Sequence, residues 1–500
     1  MKVEVLPKDA HNAELIANVH PPDWPAPTPA PRYNLVVIGA GTAGLVTAAG
    51  AAGLGARVAL VERYLMGGDC LNVGCVPSKA VIRSSRAVGD IRAATAVGVS
   101  VTGRVEVDFA AVMERMRGVR TRLSHHDSAE RFKGLGVDVF LGDGRFTGPD
   151  TVEVNGARLR FKKAVIATGA RAYEPDVPGL REAGFRTNEN VFELTERPRR
   201  LAVIGAGVIG SEYASTFRAL GVEVHVVDGR EALLPFLDGE LARRLQRSMT
   251  DLGVRFHWKE RVKACTAAAR GPVRLALSSG ATLAVDAVLV AAGRRACVEG
   301  LALEAAGLAV DERGQVPVDA HYRTAARHVF AAGDVVGPPA LASVSAEQAR
   351  VAVCTAFGAG LKREIEPLLS SGIYTIPEVS AVGATEEALR KQGVEHVVGR
   401  AEYAHNARGA IIGDRAGFLK LLFRRRDMRL LGVHVLGEQA TELVHVGLMT
   451  MLCEGGAAEL QRACFNVPTL SSLYKDAAYR AQIARDLPEA VVRAAARRKA

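Results

Sequence analysis

The sequence predicts an α/β chain in which two βαβ units, each built on a glycine-rich turn, precede a separate α+β unit. Three observations carry this. An apolar strand, a GxGxxG run and a helix occur in that order twice. Gly is high, at 51 of 500 residues, and aromatics are low, at 5%, as suits many tight strand-to-helix turns. From about residue 366 the pattern shifts to strands and helices of a different kind. A prior of roughly 150 residues per domain gives about three domains for this length.

Composition sets the class. Hydrophobic residues at 48% and charged residues at 24% exclude a disordered or fibrous chain. Seven cysteines in 500 residues are not a disulfide scaffold, so a reducing cytoplasm is expected. Residues 1–20 carry Lys2, Asp9, Glu14 and His20 without an apolar run, so no signal peptide is read there. No run of 18 apolar residues occurs, so no membrane span is expected. Lys+Arg 64 against Asp+Glu 54 gives a net charge of +10, spread diffusely. Its densest run, Arg424-Arg425-Arg426, falls between two strand-like segments and reads as a solvated hairpin turn. Arg493 to Lys499 reads as a basic helix end or frayed tail. Nucleic acid is not an expected partner, although the charge favours anionic nucleotides.

The elements then follow in order. Prolines 21, 22, 25, 27, 29 and 31, on the approach to the first strand, read as a stiff, extended stretch within a Pro-rich N-terminal arm over residues 1–32. Asn34–Ile38 is a strand, followed by Gly39-Ala40-Gly41-Thr42-Ala43-Gly44, an Ala-rich helix and the strand Arg57–Glu62. Leu201–Ile204 is a strand, followed by Gly205-Ala206-Gly207-Val208-Ile209-Gly210, a helix to Leu220 and the strand Val222–Asp228. Glu62 lies 23 positions past Gly39, and Asp228 lies 23 past Gly205. These are Rossmann-like dinucleotide-binding units. The first glycine permits the tight turn, the second lets backbone N–H groups approach a pyrophosphate, and the third lets helix and strand pack closely. The acid then accepts hydrogen bonds from a ribose. Ala164–Gly169, Ala287–Gly293 and His328–Asp334 read as strands closing these domains, which places Gly169, Gly293 and Gly333 beside the cofactors. In the last unit, Ile373–Gly383, Gly417–Phe423 and Leu430–Leu436 read as antiparallel strands, and Gln439–Glu454 and Leu470–Asp486 as helices.

The strongest chemical signal is Gly67-Gly68-Asp69-Cys70-Leu71-Asn72-Val73-Gly74-Cys75-Val76-Pro77-Ser78-Lys79. A regular helix would set the two cysteines roughly 7.5 Å apart along its axis. That exceeds the usual disulfide Cα range of about 4.4–6.8 Å, so a disulfide here needs an irregular turn, for which Gly74 supplies the freedom. Cys75 would then sit near the start of the helix containing Lys79, and both features favour a thiolate. Two cysteines without further ligands at metal spacing make a poor zinc site, so no metal is expected. The remaining alternative is a pair of inert buried thiols.

These motifs together, GGDCLNVGCVPSK, both glycine fingerprints and the AAGD segment, resemble the class I FAD-dependent pyridine nucleotide–disulfide oxidoreductases. That group includes dihydrolipoyl dehydrogenase, glutathione reductase and mercuric reductase. The resemblance covers roughly residues 33–485 and implies roles. Gly39, Gly41, Gly44 and Glu62 match the FAD fingerprint, and Asp334 the acid that holds the flavin ribityl chain. Gly205, Gly207, Gly210 and Asp228 match the NAD(P) fingerprint. Cys75 matches the flavin-proximal thiol, Cys70 the interchange thiol, and Lys79 and Glu212 the ion pair near the flavin. Hydride from NAD(P)H would pass through FAD to a Cys70–Cys75 disulfide, and the dithiol would reduce an acceptor.

The pattern breaks near the C-terminus. Members acting on disulfides carry His-Pro there, with Glu four residues after the Pro. Here Val467 and Ser472 stand at those places, beside Cys464 and Pro468. General acid–base help is worth roughly 10²–10⁴ in rate, so efficient turnover of lipoamide or glutathione is not expected. The C-terminal vicinal Cys pair of mercuric reductases is also missing. SGIYTIPEVSAVG, GRAEYAHNARGAIIG and FNVPTLSSLYKDAA look instead like soluble pyridine nucleotide transhydrogenase. A flavin-binding redox sensor without turnover is a third reading. Asp228 favours the free 2′-OH of NAD, whereas Arg230 could meet a 2′-phosphate, so NADH is the favoured donor. The expected division is an arm over 1–32, an FAD domain over 33–190 and 296–365, an NAD(P) domain over 191–295 and a dimerisation domain over 366–500 that implies a homodimer.

Overall fold

The computed structural model describes residues 3–267, 271–362 and 364–487. Leu15 and Val19 stand one helical turn apart and both are fully buried, which explains the first element, α1 (Ala10–Val19). Asp9 caps it, its carboxylate accepting the Asn12 N–H at 2.8 Å. Within the arm expected over residues 1–32, residues 10–19 are instead helical, whereas residues 3–9 and the proline stretch form neither helix nor strand.

The first sheet grows from β1 (Tyr33–Ile38), α2 (Thr42–Gly53) and β2 (Val58–Glu62). Four helices follow, α3 (Gly68–Asn72), α4 (Cys75–Ala93), α5 (Phe109–Ser124) and α6 (Ala129–Gly134). Then come β3 (Val137–Leu141), β4 (Gly144–Gly148), β5 (Thr151–Val154), β6 (Ala157–Ile166) and the short β7 (Ala170–Ala172). The order is β3-β2-β1-β6-β5-β4, with β1, β2, β3 and β6 parallel. Helical cover on a parallel sheet requires apolar residues on both strand faces, as the run Leu35-Val36-Val37-Ile38 provides.

The second unit comprises β8 (Arg200–Ile204), α7 (Val208–Ala219), β9 (Glu223–Asp228), α8 (Gly239–Leu252) and β10 (Arg255–Trp258). It continues through β11 (Val262–Thr266), β12 (Val273–Leu277), β13 (Thr282–Val285), β14 (Ala287–Val290) and β15 (Arg294–Ala296). Strands β10-β9-β8-β14 form a parallel sheet, β11-β12-β13 an antiparallel one, and β15 pairs with β7. The chain then returns to the first sheet: β16 (Val329–Ala331) lies parallel to β6, and α9 (Ala342–Phe357) packs on α2. The three expected closing strands end at Ile166, Val290 and Ala331, so Gly169, Gly293 and Gly333 sit just past them.

The last unit is a five-stranded antiparallel sheet with helices. The segment expected as one strand over Ile373–Gly383 is a hairpin, β17 (Ser371–Ile373) and β18 (Val379–Gly383), turned at Pro377. After α10 (Glu386–Lys391), strand β19 (His396–Glu402) was not foreseen. The rest is α11 (Ala407–Ile412), β20 (Phe418–Arg424), β21 (Leu430–Leu436), α12 (Ala440–Leu452), α13 (Ala457–Arg462) and α14 (Leu473–Asp486). Gly399 of β19 is required by α14: a Cβ there would lie 2.0 Å from the Ala477 carbonyl oxygen. The Arg424-Arg425-Arg426 run opens the β20–β21 turn, as expected. The basic segment Arg493 to Lys499 lies outside the described residues. No helix among the described residues is long and apolar enough to cross a membrane.

A buried charge cluster joins the second and third units. Lys420 of β20 is 1% exposed and its Nζ lies 2.9 Å from both Asp238 oxygens, 2.6 Å from Glu386 and 3.4 Å from Glu240. Asp238 caps α8 and also accepts the Glu386 N–H. Removing one partner of a buried ion pair costs about 3–5 kcal/mol, because the other charge stays buried. Lys420→Ala should therefore lower the thermal unfolding midpoint clearly, whereas Arg426→Ala on the exposed turn should leave it unchanged; differential scanning calorimetry reads both.

Candidate active site

The two glycine turns are near copies. Gly39 has φ +100°, and a Cβ there would meet the Ala167 carbonyl oxygen at 2.4 Å. Gly205 has φ +106°, with the Ala291 oxygen at 2.5 Å. A Cβ on Gly44 would stand 1.8 Å from the Gly39 oxygen, and one on Gly210 1.9 Å from the Gly205 oxygen. Gly41 and Gly207 are the N-caps of α2 and α7. A helix N-terminus with bare backbone presents free N–H groups to an anion. At Gly39, Gly44, Gly205 and Gly210 only a residue without a side chain fits.

The acids differ. Glu62 is buried, its Oε2 accepting the Ala40 N–H and its Oε1 the Tyr64 N–H, each at 2.7 Å. Burial pushes its carboxyl above the usual range despite these bonds. Asp228 accepts the Ala206 N–H at 2.7 Å and the Arg230 N–H at 2.8 Å. The Arg230 guanidinium also grips it through Nε at 2.9 Å and Nη2 at 2.6 Å. Burial opposes ionisation of Asp228, but the Arg230 fork and the two N–H groups outweigh it and hold the carboxyl below its usual value.

A cavity of about 1910 Å³ runs from the first glycine turn to the cysteine pair. That exceeds the roughly 300–1,000 Å³ of ordinary ligand pockets and suits an extended dinucleotide. Gly39, Gly41, Glu62, Gly169, Gly333 and Asp334 line it. Gly333 has φ +87° and donates its N–H to Gln348 at 2.7 Å. Burial raises the Asp334 carboxyl, and Arg294, 3.4 Å away, opposes that. Gly293 does not line the cavity; its neighbour Arg294 does, held also by Asp69 and the Ala170 carbonyl.

At the other end, α3 stops at Asn72 and the chain kinks through Gly74, where a Cβ would meet the Asp69 oxygen at 2.7 Å. The kink starts α4 at Cys75 and brings the Cys70 and Cys75 thiols into hydrogen-bond contact, unbonded. Cys75 faces the cavity. The hydrogen bond from Cys70 lowers its thiol to about 7 against burial, with help from Lys79. The same contact and burial push the Cys70 thiol up. Lys79 Nζ donates to both Glu212 oxygens, at 3.0 and 2.8 Å, joining α4 to α7. Tyr374 donates its N–H to Glu212 at 2.8 Å, and its ring lies 4.5 Å beneath the Lys79 ammonium. Among the described residues, no group of three or more His, Cys, Asp or Glu could hold a metal ion.

The sequence pattern of the pyridine nucleotide-disulphide oxidoreductases matches residues 33–352, and that of their dimerisation domain matches residues 369–478. The chain belongs to this family. As a member it is an enzyme that uses FAD and a pyridine nucleotide. Soluble pyridine nucleotide transhydrogenase of Mycobacterium tuberculosis (strain ATCC 25177 / H37Ra) is 39% identical over 456 residues, covering 89% of this chain and 96% of that protein. The protein of the same name from Marinomonas sp. (strain MWYL1) is 37% identical over 89% of this chain and 97% of its own. Among solved structures, the HOCl-induced flavoprotein disulfide reductase RclA from Escherichia coli superposes with a TM-score of 0.81 at 28% identity, covering 89% of this chain and 99% of that one.

Within this oxidoreductase the structure brings together Cys70, Cys75, Lys79 and Glu212, all lining the same cavity. It leaves Val467 77% exposed, and Ser472 takes up a local role, accepting from Asn406 at 2.8 Å and donating to the Thr469 carbonyl at 2.9 Å. Of the other cysteines, Cys265, Cys297 and Cys354 are buried and Cys453 and Cys464 exposed. Sequence reading missed Arg294 and Tyr374. The first directly follows Gly293 and the second lies inside SGIYTIPEV, so both stood within segments already singled out. In the reduced protein, alkylation of Cys75 by iodoacetamide should rise with pH through a midpoint near 7, as its thiolate forms. Lys79→Met should move that midpoint upward, toward the free-cysteine value of about 8.5; mass spectrometry of the Cys75 peptide reads both.

Proposed function

We propose that this protein passes two electrons from NAD(P)H through its Cys70–Cys75 pair to a small acceptor. The observation that carries the reading is the placement of Cys75: first residue of α4, in contact with Cys70 and lowered to about 7. FAD, when bound, supplies the two-electron chemistry that links a hydride donor to thiols. Gly39, Gly41, Gly44 and Glu62 would hold its ADP moiety, and Asp334 its ribityl chain. Gly205, Gly207, Gly210 and Asp228 would hold the pyridine nucleotide. Gly169, Gly293 and Gly333 let the backbone come close beside these groups.

The pair divides its work by proton affinity. Opening a Cys70–Cys75 disulfide takes up two electrons and leaves Cys75 as thiolate and Cys70 as thiol, with one proton bound. Lys79, braced by Glu212, stabilises the Cys75 charge. Val467 and Ser472 supply no acid–base group for a bulky disulfide, so the acceptor is a metal ion, a quinone or another small oxidant. The dimerisation domain supports a homodimer. NADH is the favoured donor, on the charge of Asp228. Under anaerobic conditions, NADH should give long-wavelength absorbance from a thiolate beside the flavin, and Cys75→Ser should abolish it. An unchanged spectrum and turnover in that variant would remove the proposal.

The second reading is transhydrogenation, supported by the relatives at 37–39% identity. Arg230 on Asp228 supports it too, since the carboxylate suits a free 2′-OH and the guanidinium a 2′-phosphate. It predicts hydride exchange between NADPH and an NAD analogue that survives Cys70→Ala. Loss of exchange in that variant would count against a thiol-independent route.

A further inference from the structure

Residues 3–24 precede the span matched by the family, yet they reach the redox loop. The connection runs through α3, the helix that carries Cys70. Its five residues are too few to be stable alone, and its last carbonyls have no intrahelical partner. Arg120 of α5 takes one of them, its Nη1 donating to the Asn72 carbonyl at 2.8 Å. The same guanidinium donates from Nη2 to Asn12 Oδ1 of α1 at 2.5 Å. Arg120 is 3% exposed and, among the described residues, forms no ion pair with a carboxylate within 4.0 Å. Two neutral oxygens hold a buried cation, one on the Cys70 helix and one on the N-terminal segment. Asn12 is itself fixed, donating from Nδ2 to the Pro7 carbonyl at 2.7 Å.

The segment is bound along its length. Arg117 pairs with Asp9 at 2.5 Å, Thr121 donates to the His11 carbonyl at 2.8 Å, and Met66 donates its N–H to the Val19 carbonyl at 3.1 Å. Beyond α1, Val5 and Leu6 line the cavity that Cys70 and Cys75 share.

We propose that this N-terminal strap is a positioning element of the dithiol: through Asn12 and Arg120 it fixes the helix bearing Cys70 and so sets how readily Cys70 and Cys75 close to a disulfide. The inference rests on the dithiol reading above. Two thiols held in contact have a high effective concentration, which favours their disulfide, and a loosened helix lowers it.

The test equilibrates the holoenzyme with glutathione buffers. One protein disulfide and two glutathione thiols exchange for one dithiol and one glutathione disulfide, and alkylation with mass spectrometry reads the ratio. Asn12→Ala leaves the Arg120 charge in place but removes its anchor. It should shift the equilibrium toward the dithiol by about three- to tenfold, the net scale of one ordinary hydrogen bond, with flavin content unchanged. Asn12→Asp, which still accepts from Arg120 but loses the donor to Pro7, should recover part of the shift. Arg120→Lys keeps the charge without the fork and should shift it as Asn12→Ala does. Wild-type equilibria in both Asn12→Ala and Arg120→Lys would overturn the strap's role alone. Absence of any reversible Cys70–Cys75 couple in the wild-type protein would overturn the dithiol reading with it.

Discussion

One carboxylate ties the three units together at the point where the chemistry is placed. Glu212 lies on α7 of the second unit, receives both bonds of Lys79 from α4 of the first, and accepts the Tyr374 N–H from the third. Its side chain is 7% exposed, so these donors take the place of the water that burial removes from its oxygens. The ion pair thereby fixes how α4 lies against α7, and Cys75 opens α4 one helical turn before Lys79. The orientation of the thiol and the docking of the two nucleotide-binding units are one constraint.

The paired glycine turns show how far a backbone requirement can be reproduced. The close approaches in the two copies agree within 0.1 Å, although the helices that follow share little sequence beyond the glycines. The hydrogen bonds from Ala40 and Ala206 to their acids are equal in length. Where the copies diverge is the chemistry of the acid. Glu62 is held by backbone N–H groups and Asp228 by those and a guanidinium. The first site offers an acceptor to a ribose, whereas the second offers an acceptor and a cation together.

Much of this arrangement was legible in the sequence. Both βαβ units could be read because a φ near +100° and a carbonyl within 2.5 Å admit only glycine, so the backbone geometry is written as residue identity. The helix start at Cys75 was legible through Gly74, where the close Asp69 carbonyl rather than a left-handed φ excludes a side chain. The helix α1 was missed because six prolines after it dominate the segment, although Asp9 with Leu15 and Val19 carries a cap and an apolar face. Strand β19 was missed because His396, Arg400 and Glu402 break its apolar run, and its burial comes from α14 lying over Gly399. Arg294 reaches Asp69 225 positions away, and Tyr374 reaches Glu212 162 positions away, contacts that no local pattern encodes.

The return of β16 to the first sheet has a consequence for how the protein is made. A ribosome emits the chain from its N-terminal side, and domains generally fold in that order as they emerge. The first nucleotide cradle, with Gly39, Glu62 and the Cys70–Cys75 loop, leaves the tunnel early, but the wall formed by Gly333 and Asp334 is translated only after the whole second unit. The second unit, contiguous from β8 to β14, can complete itself first. The growing chain therefore carries an open first cavity through the synthesis of the second unit, and that cavity acquires its last wall late in biogenesis.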